Sequence, residues 1–373
     1  LGDGLRSLGK AWAHATRTSL ETVALQWDLD LLLARSTKGT FSIDWRDRDQ
    51  RASVVDRLAR QVTDVVGIIR QSMPAIRPGK RKGLLRRCRR LVKVVRDDLE
   101  EDEKGRLVVA RRVAEGRIVS ILDPQARHGR KSRSKTFHGF KLHVLGDVVS
   151  GLIASVAVTR GNAHDGSPAA RLIRRAKVLC DDIEHILADT AYGGARLRHV
   201  SRHLSDVAVL APPPPVSLAA GKLGRQHMDI DFESWTMTCR AGVATSNWTW
   251  SPSADYGVQV RRFRWPNEVC ACCTLRPACC GNKPYGHWVK LHPYERELRA
   301  AREDWERPDV RAHYRIRSQC ERLVNQATRH GGRRARAFGP GAANLQAHVI
   351  VMRCNLGLLA KKLAEDDEQP AAA

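Results

Sequence analysis

From residue 1 to about residue 110, apolar positions recur with the period of a helix. Val54, Val55, Leu58, Val62, Val65, Val66 and Ile69 line one face, and Pro74 and Pro78 close that segment. A second helical stripe, Leu84, Leu85, Cys88, Leu91, Val92 and Val95, runs through a stretch of concentrated charge. Near residue 117 the period shortens. Arg117 to Leu122 is predicted as a short strand ending at Asp123-Pro124. Phe140 to Leu145 alternates, Asp147 to Gly151 is a turn, and Leu152 to Thr159 is another strand, so the pair reads as a hairpin. A helix over Ser167 to Val178 and a strand over Ile183 to Leu187, leading to Asp189, complete the opening of a mixed α/β sheet. Ala211-Pro212-Pro213-Pro214-Pro215 is a stiff connector. After it come short β-like runs with Phe232, Trp235, Trp248, Trp250, Phe263 and Trp265, and most of the cysteines. From Tyr294 the chain is helical again, to about Glu306, then from Asp309 to Arg329, then from about Ala343 to Leu363. Gly331-Gly332 stops the middle helix, and Glu365 to Ala373 is a low-complexity tail.

Composition narrows the function. In 373 residues, 64 Lys and Arg face 40 Asp and Glu, a net charge of +24. Such an excess points to a polyanionic partner, most simply nucleic acid. It is concentrated in Arg77 to Arg96, where ten of twenty residues are basic and none is acidic. A solvated helix face is the plainer reading of that run; a DNA-contacting face is the functional one. At 42% hydrophobic residues the chain can bury a sizeable core. No apolar run reaches the roughly 18 residues of a membrane span. Residue 1 is Leu, which leads us to expect a missing N-terminal segment. Five of the ten cysteines lie between Cys270 and Cys280, a patch that reads as a metal site in a reducing cytoplasm rather than a disulfide framework.

Three groups of residues carry candidate chemistry. Asp189 follows a strand, where α/β sheets place ligands, although an Asp there is commonly a turn former. Tyr314, Arg317 and Glu321, at offsets 0, 3 and 7, fall within roughly 60° of one another on an unbroken α-helix. Their alternative role is an intrahelical ion pair. Carboxylates converging from a sheet and a helix hold two divalent cations about 4 Å apart in phosphodiester chemistry. The second group is Cys270-x2-Cys273-x5-Cys279, with Cys239 as a natural fourth thiolate for a structural Zn2+; Cys272 and Cys280 are alternates in register, and free thiols are the competing reading. The third is basic: Arg127, Arg130, Lys131, Arg133 and Lys135 in a turn entering the hairpin, with Arg333, Arg334 and Arg336 adding to the same field for phosphate contact. His128, His138, His143 and His164 lack paired ligand spacing and read as sheet or surface histidines.

Several strings together resemble the bacterial insertion-sequence DDE transposases, in the branch with a Cys-containing insertion. They are Asp123-Pro124-Gln125-Ala126-Arg127-His128-Gly129-Arg130-Lys131-Ser132, Phe137-His138-Gly139-Phe140-Lys141-Leu142-His143, Val158-Thr159-Arg160-Gly161-Asn162-Ala163-His164-Asp165 and Ala188-Asp189-Thr190-Ala191-Tyr192-Gly193. Tyr314-x2-Arg317-x3-Glu321, Cys270-x2-Cys273-x-Leu275-Arg276-x2-Cys279, the Arg333 to Gly339 segment, Gln346 and Asn355-Leu356 extend the likeness to residue 363. Where that family usually has Lys seven positions after the Glu, this chain has Thr328, followed by Arg329.

The resemblance implies an RNase H-like mixed α/β sheet flanked by helices. Residues 1–110 would be a basic helical DNA-binding region, 111–211 and 293–363 the two parts of the catalytic domain, 212–292 a Cys-rich, partly β zinc-binding insertion, and 364–373 a tail. It also implies an Mg2+-dependent enzyme that cleaves and transfers strands of double-stranded DNA, acting as a homodimer in the bacterial cytoplasm at the nucleoid. Asp189 and Glu321 carry over as catalytic Mg2+ ligands, with Tyr314 and Arg317 positioning DNA or Glu321. The family's first Asp, in an Asp-Ser/Gly-Thr motif, has no match upstream. Either Asp123 fills its place or it belonged to a lost N-terminus. In the second case the chain is a truncated remnant that binds DNA without cutting it.

Overall fold

In the computed structural model of the protein, which describes all residues except 113, 115, 133, 216, 217, 219, 254–256, 282–285 and 368–373, the helical period of the first hundred residues is realised as α1 (Gly2–Thr16), α2 (Leu20–Trp27), the short α3 (Thr37–Thr40), α4 (Arg48–Ser72) and α5 (Pro78–Asp98). Helices α2, α4 and α5 begin where local chemistry favours it. The Ser19 hydroxyl accepts the Thr22 N–H, the Asp47 carboxylate accepts those of Asp49 and Gln50, and Pro78 occupies the first turn of α5. The chain divides into two units built from separated segments: Leu1–Leu142 with Ala157–Ala163 and Gly331–Met352, and His143–Val156 with His164–His330 and Arg353–Ala373.

The helical core of the first unit gathers Leu5, Leu8 and Trp12 of α1, Val23 and Trp27 of α2, Leu58, Val62, Val66 and Ile69 of α4, and Leu84, Cys88 and Leu91 of α5. The 84, 88, 91 spacing puts one face of α5 in this core. Arg77, Lys80, Lys82, Arg86, Arg89 and Arg96 of the basic stretch stay exposed. The two-stranded hairpin β1 (Leu99–Glu101) and β2 (Leu107–Val109) follows. The strand expected over Arg117 to Leu122 does not form. Ile121 packs against the helical core and Arg117 pairs with Asp98 at 3.3 Å, so the segment's side chains are spent on the helices and it runs irregularly.

Next comes a sheet of order β3 (Arg127–Arg130), β4 (Thr136–Gly146) and β5 (Ile153–Arg160), with β3 and β4 antiparallel in the register Arg127–Gly139 to Arg130–Thr136. The β4–β5 hairpin forms as the alternation predicts. Asp147 accepts the N–H groups of Val149 and Ser150, and Gly151 takes the left-handed φ of +76° that closes the turn. In the second unit, α6 (Ala169–Leu179), β6 (His185–Leu187), α7 (Ala195–Ser205) and β7 (Ala208–Leu210) form a β-α-β crossover with β6 and β7 parallel. Ile173, Val207, Val209 and Ala211 make its core.

The Cys-rich region builds two small antiparallel sheets, β8 (Asp229–Asp231), β9 (Thr236–Thr238) and β10 (Ala244–Thr245), then β11 (Trp248–Ser253), β12 (Val258–Arg264) and β13 (Trp288–Lys290). Met228, Met237, Phe263, Trp265, Val289 and Leu291 are buried between them. The short helices α8 (Asn267–Ala271) and α9 (Arg276–Cys279) carry Cys270 and Cys279, while Cys272 and Cys273 lie between them and Cys280 follows α9. On the sheet, the Arg261 guanidinium lies 3.4, 4.6 and 4.7 Å from the ring centres of Trp235, Trp248 and Trp250.

Helices α10 (Glu295–Glu306), α11 (Pro308–Tyr314), α12 (Cys320–Ala327) and α13 (Pro340–Asp367) complete the chain. The single helix expected from Asp309 to Arg329 is interrupted. Residues Arg315–Gln319 are wound as a 3-10 helix, and Thr328–Gly332 as a π turn. The mixed α/β class is as the sequence indicates. Residues 368–373 of the expected tail lie outside the described residues, as does Arg133.

Candidate active site

Asp189 stands immediately past β6, where the Ala188 N–H still donates to the Leu210 carbonyl of β7. The chain then turns through a 3-10 segment, Thr190–Tyr192, whose N-terminus Asp189 caps. Its Oδ1 accepts the Ala191 N–H at 3.0 Å, and the side chain is exposed. This is the turn-forming bond expected of an Asp after a strand, and it also fixes the carboxylate at the strand end. Gly193 is required next: a Cβ there would meet the Pro212 carbonyl oxygen at 2.1 Å. Arg198, one turn into α7, locks the loop with hydrogen bonds to the carbonyls of Gly193, Val209 and Ala211 at 2.9, 2.7 and 2.5 Å. Burial lowers its pKa, yet a guanidinium remains charged at any physiological pH.

Tyr192 turns inward. Its hydroxyl lies 3.1 Å from Nδ1 of His143, a buried histidine on β4. The Tyr192 phenol is pushed up to about 12, first by burial and then by the negative charges of Asp165 and Asp189. The charges of both carboxylates therefore act on one hydroxyl in the same direction. Asp165 belongs to a loop that approaches the Asp189 turn closely, since a Cβ on Gly166 would sit 3.1 Å from the Ala191 carbonyl.

The Tyr314 hydroxyl donates to the carbonyl of Ala188 at 2.9 Å, one residue before Asp189. Burial raises its pKa, the Arg317 charge opposes the rise, and the Asp189 charge adds to it. The segment that leads to Glu321 is thus anchored on the strand that presents Asp189. Glu321 itself is exposed in the first turn of α12, beside buried Leu323, which lies close to Gly146 at the end of β4. The intervening 3-10 segment advances about 120° per residue instead of 100°. On that winding Tyr314 and Arg317 eclipse each other and Glu321 stands about 80° round the axis from them, where an unbroken helix would keep all three within about 60°. Farther along, the Asn355 side chain bonds both backbone groups of Ile153, accepting from its N–H at 2.9 Å and donating to its carbonyl at 3.0 Å.

In the first unit, Asp123 is buried and accepts two backbone N–H groups, that of Gln125 on Oδ1 at 3.2 Å and that of Gly339 on Oδ2 at 3.0 Å. It ties the start of one basic segment to the end of the other. Arg127 folds back onto the carbonyls of Pro124 and Ala126 at 2.6 and 2.8 Å, whereas Arg130 and Lys131 are exposed. Arg333, Arg334 and Arg336 are exposed too. Their backbone is held by Gln346, which accepts the Arg336 N–H and donates to the carbonyls of Gly331 and Arg334.

Cys239, Cys270, Cys273 and Cys279 line one pocket of about 280 Å³ with Cys272, Cys280 and His287. The Cys279 thiol is raised to about 11 by burial and by the neighbouring sulfurs of Cys280, Cys270, Cys239 and Cys273. Cys272 is exposed and points its thiol at the Glu268 carbonyl.

Two family models, both described as a transposase DDE domain, match the chain, one over residues 111–216 and the other over residues 238–360. The chain belongs to the DDE transposases. The first matched stretch contains Asp123, Asp165 and Asp189; the second contains the clustered cysteines and Glu321 of the transposase. No curated protein and no solved structure matches it. No helix among the described residues is long and apolar enough to cross a membrane.

Of the transposase residues to which the sequence assigned no role, Arg198 and Asp165 are the most informative; His143 is the sheet histidine that its sequence context indicates, here buried on β4. Asp165 stands inside a string that carries the family likeness, and that position was its only signal. Arg198 gives none, because an arginine that caps carbonyls and one that faces water look alike in sequence.

Proposed function

We propose that the transposase cleaves and joins DNA strands through Asp189 and Glu321, which hold Mg2+ within an RNase H-like catalytic domain. The bond from Tyr314 to Ala188 carries this reading, because it couples the strand end bearing Asp189 to the segment bearing Glu321. Both acids are exposed oxygen donors, as a hard divalent cation requires. When bound, Mg2+ supplies the charge that activates the attacking oxygen and stabilises the departing one. The residues of the chain do the positioning. Arg198 and Gly193 fix the Asp189 loop, Tyr314 fixes the approach of the helix, and Arg317 is assigned to Glu321 or to the DNA. Asp165 is assigned as the neighbouring acid, and Asp123 to the turn that its two backbone bonds define. That bonding of Asp123 also favours a second reading, a non-cutting DNA-binding remnant. Metal-dependent cleavage of a terminal-repeat duplex by the purified chain decides between them.

The exposed cations of α5, with Arg130, Lys131, Arg333, Arg334 and Arg336, are assigned to the phosphates of double-stranded DNA, bound by a homodimer in the bacterial cytoplasm. If six or more phosphates are neutralised, affinity should fall about 10³-fold between roughly 50 and 200 mM salt. A fluorescence-anisotropy titration showing a flat response would remove this assignment.

Cys239, Cys270, Cys273 and Cys279 are assigned to a structural Zn2+. A cation among crowded, half-buried thiols reverses the effect that raises Cys279, so zinc uptake at pH 7 should release about one proton per coordinated thiol, about four in all. Calorimetry in buffers of different ionisation enthalpy measures that number. A count near zero would leave the cysteines as free thiols.

A further inference from the structure

We propose a second transition-metal site in the transposase, formed by His199 and His203 of α7 and Glu297 of α10, taking Zn2+ or a similar first-row divalent ion. The two histidines stand four residues apart on one helix, the spacing that turns both rings to the same side. One donor atom from each of the three residues lies within 4.8 Å of the others, and no thiol group among the described residues is gathered that closely. Tetrahedral zinc with bonds of about 2.0–2.1 Å holds its donors about 3.4 Å apart, so small rotations of the exposed and half-buried side chains close the set.

Neighbouring contacts hold the donors in place. The His199 ring stacks on Tyr294 with centroids 4.6 Å apart and a 28° tilt, and lies 4.2 Å from the His203 ring. Its Nδ1 is hydrogen-bonded to Oε1 of Glu297. Metal binding exchanges that bond for two coordinate bonds, with any proton on the imidazole donor leaving to solvent. His203 is exposed and the other two are half-buried, so an ion enters without unfolding. Two imidazoles and one carboxylate suit zinc and leave a fourth position for water or a partner group. This set stands apart from the thiol pocket, whose donors are sulfur, and from Asp189 and Glu321, whose donors are all oxygen. Its consequence is mechanical. Helix α7 carries Arg198, which locks the Asp189 loop, and α10 leads through α11 to Tyr314, so an ion joining α7 to α10 staples the supports of both acids. The site itself does not depend on the catalytic reading.

The test uses the full chain, stripped with a chelator and titrated with Co2+ and then Zn2+, beside His203→Ala and Glu297→Gln. Wild type should show two kinds of cobalt absorption, thiolate charge-transfer bands and weaker d–d bands of a nitrogen–oxygen site. Each variant should keep the first, which also reports folding, and lose the second, with at least tenfold weaker uptake of one zinc equivalent. Saturating zinc should raise the Tm of thiol-loaded wild type by about 5 °C more than that of either variant. The proposal is overturned if the folded variants bind as many equivalents as wild type with the same spectrum, or if wild type shows sulfur-ligated cobalt only.

Discussion

Replacing Asp189 by Asn should reduce metal-dependent DNA cleavage by at least about a thousandfold while leaving DNA affinity within a few-fold. The reasoning is local. Asn keeps the oxygen that accepts the Ala191 N–H, so the 3-10 turn, Gly193 and the Arg198 clasp persist. What is lost is the negative charge a divalent ion needs. Cleavage of a terminal-repeat duplex and anisotropy binding, measured on the same preparations, separate the two effects. Equal loss of cleavage and binding would mean that Asp189 only shapes the surface; unchanged cleavage would remove it from the site. Asp165→Asn belongs in the same experiment, because Asp165 and Asp189 act together on the Tyr192 hydroxyl.

The largest effect on stability is expected at Glu295, a residue with no part in the chemistry. Its side chain is fully buried, at 0% exposure, and faces three arginines: Arg225 at 3.1 Å, Arg299 at 3.5 Å and Arg302 at 3.7 Å. Neither carboxylate oxygen makes a well-aligned hydrogen bond, so the cluster is held by charge. Glu295→Gln preserves the volume and leaves three guanidinium groups facing one another without the anion between them. Removing one partner of a buried ion pair costs about 3–5 kcal/mol. Urea unfolding of wild type and variant should show that loss as a lower midpoint. A difference below about 1 kcal/mol would mean that the arginines find solvent instead, as surface pairs do. Arg225 precedes β8 and Glu295 opens α10, so the same cluster fastens the Cys-rich region to the helices after it.

How far the sequence revealed this arrangement depends on the range of the forces involved. Long amphipathic stretches were legible: the Val54 to Ile69 stripe is the buried face of α4, and the alternation after Phe140 is β4. Local turn chemistry at Asp147 and Gly151 was legible for the same reason. Arg117 to Leu122 was misread because a short apolar run is strand or coil according to what it packs on, and here Ile121 meets helices. The candidate acids were found through local strings, since Asp189 and Glu321 each sit in a motif. The contacts that position them join residues far apart in sequence, Tyr314 to Ala188 and Asn355 to Ile153, and spacing along a chain carries no record of such pairs.

The change of winding between Tyr314 and Glu321 has a metric consequence. Five residues coiled with three to a turn rise about 2.0 Å each, against about 1.5 Å in the ordinary helix, so this stretch is about 2.5 Å longer than its residue count suggests. The extra pitch also swings the carboxylate through about 100° around the axis. An insertion or deletion of one residue here would move that oxygen farther than any substitution beside it, so the loop-like tolerance of length found on protein surfaces should vanish over these five positions.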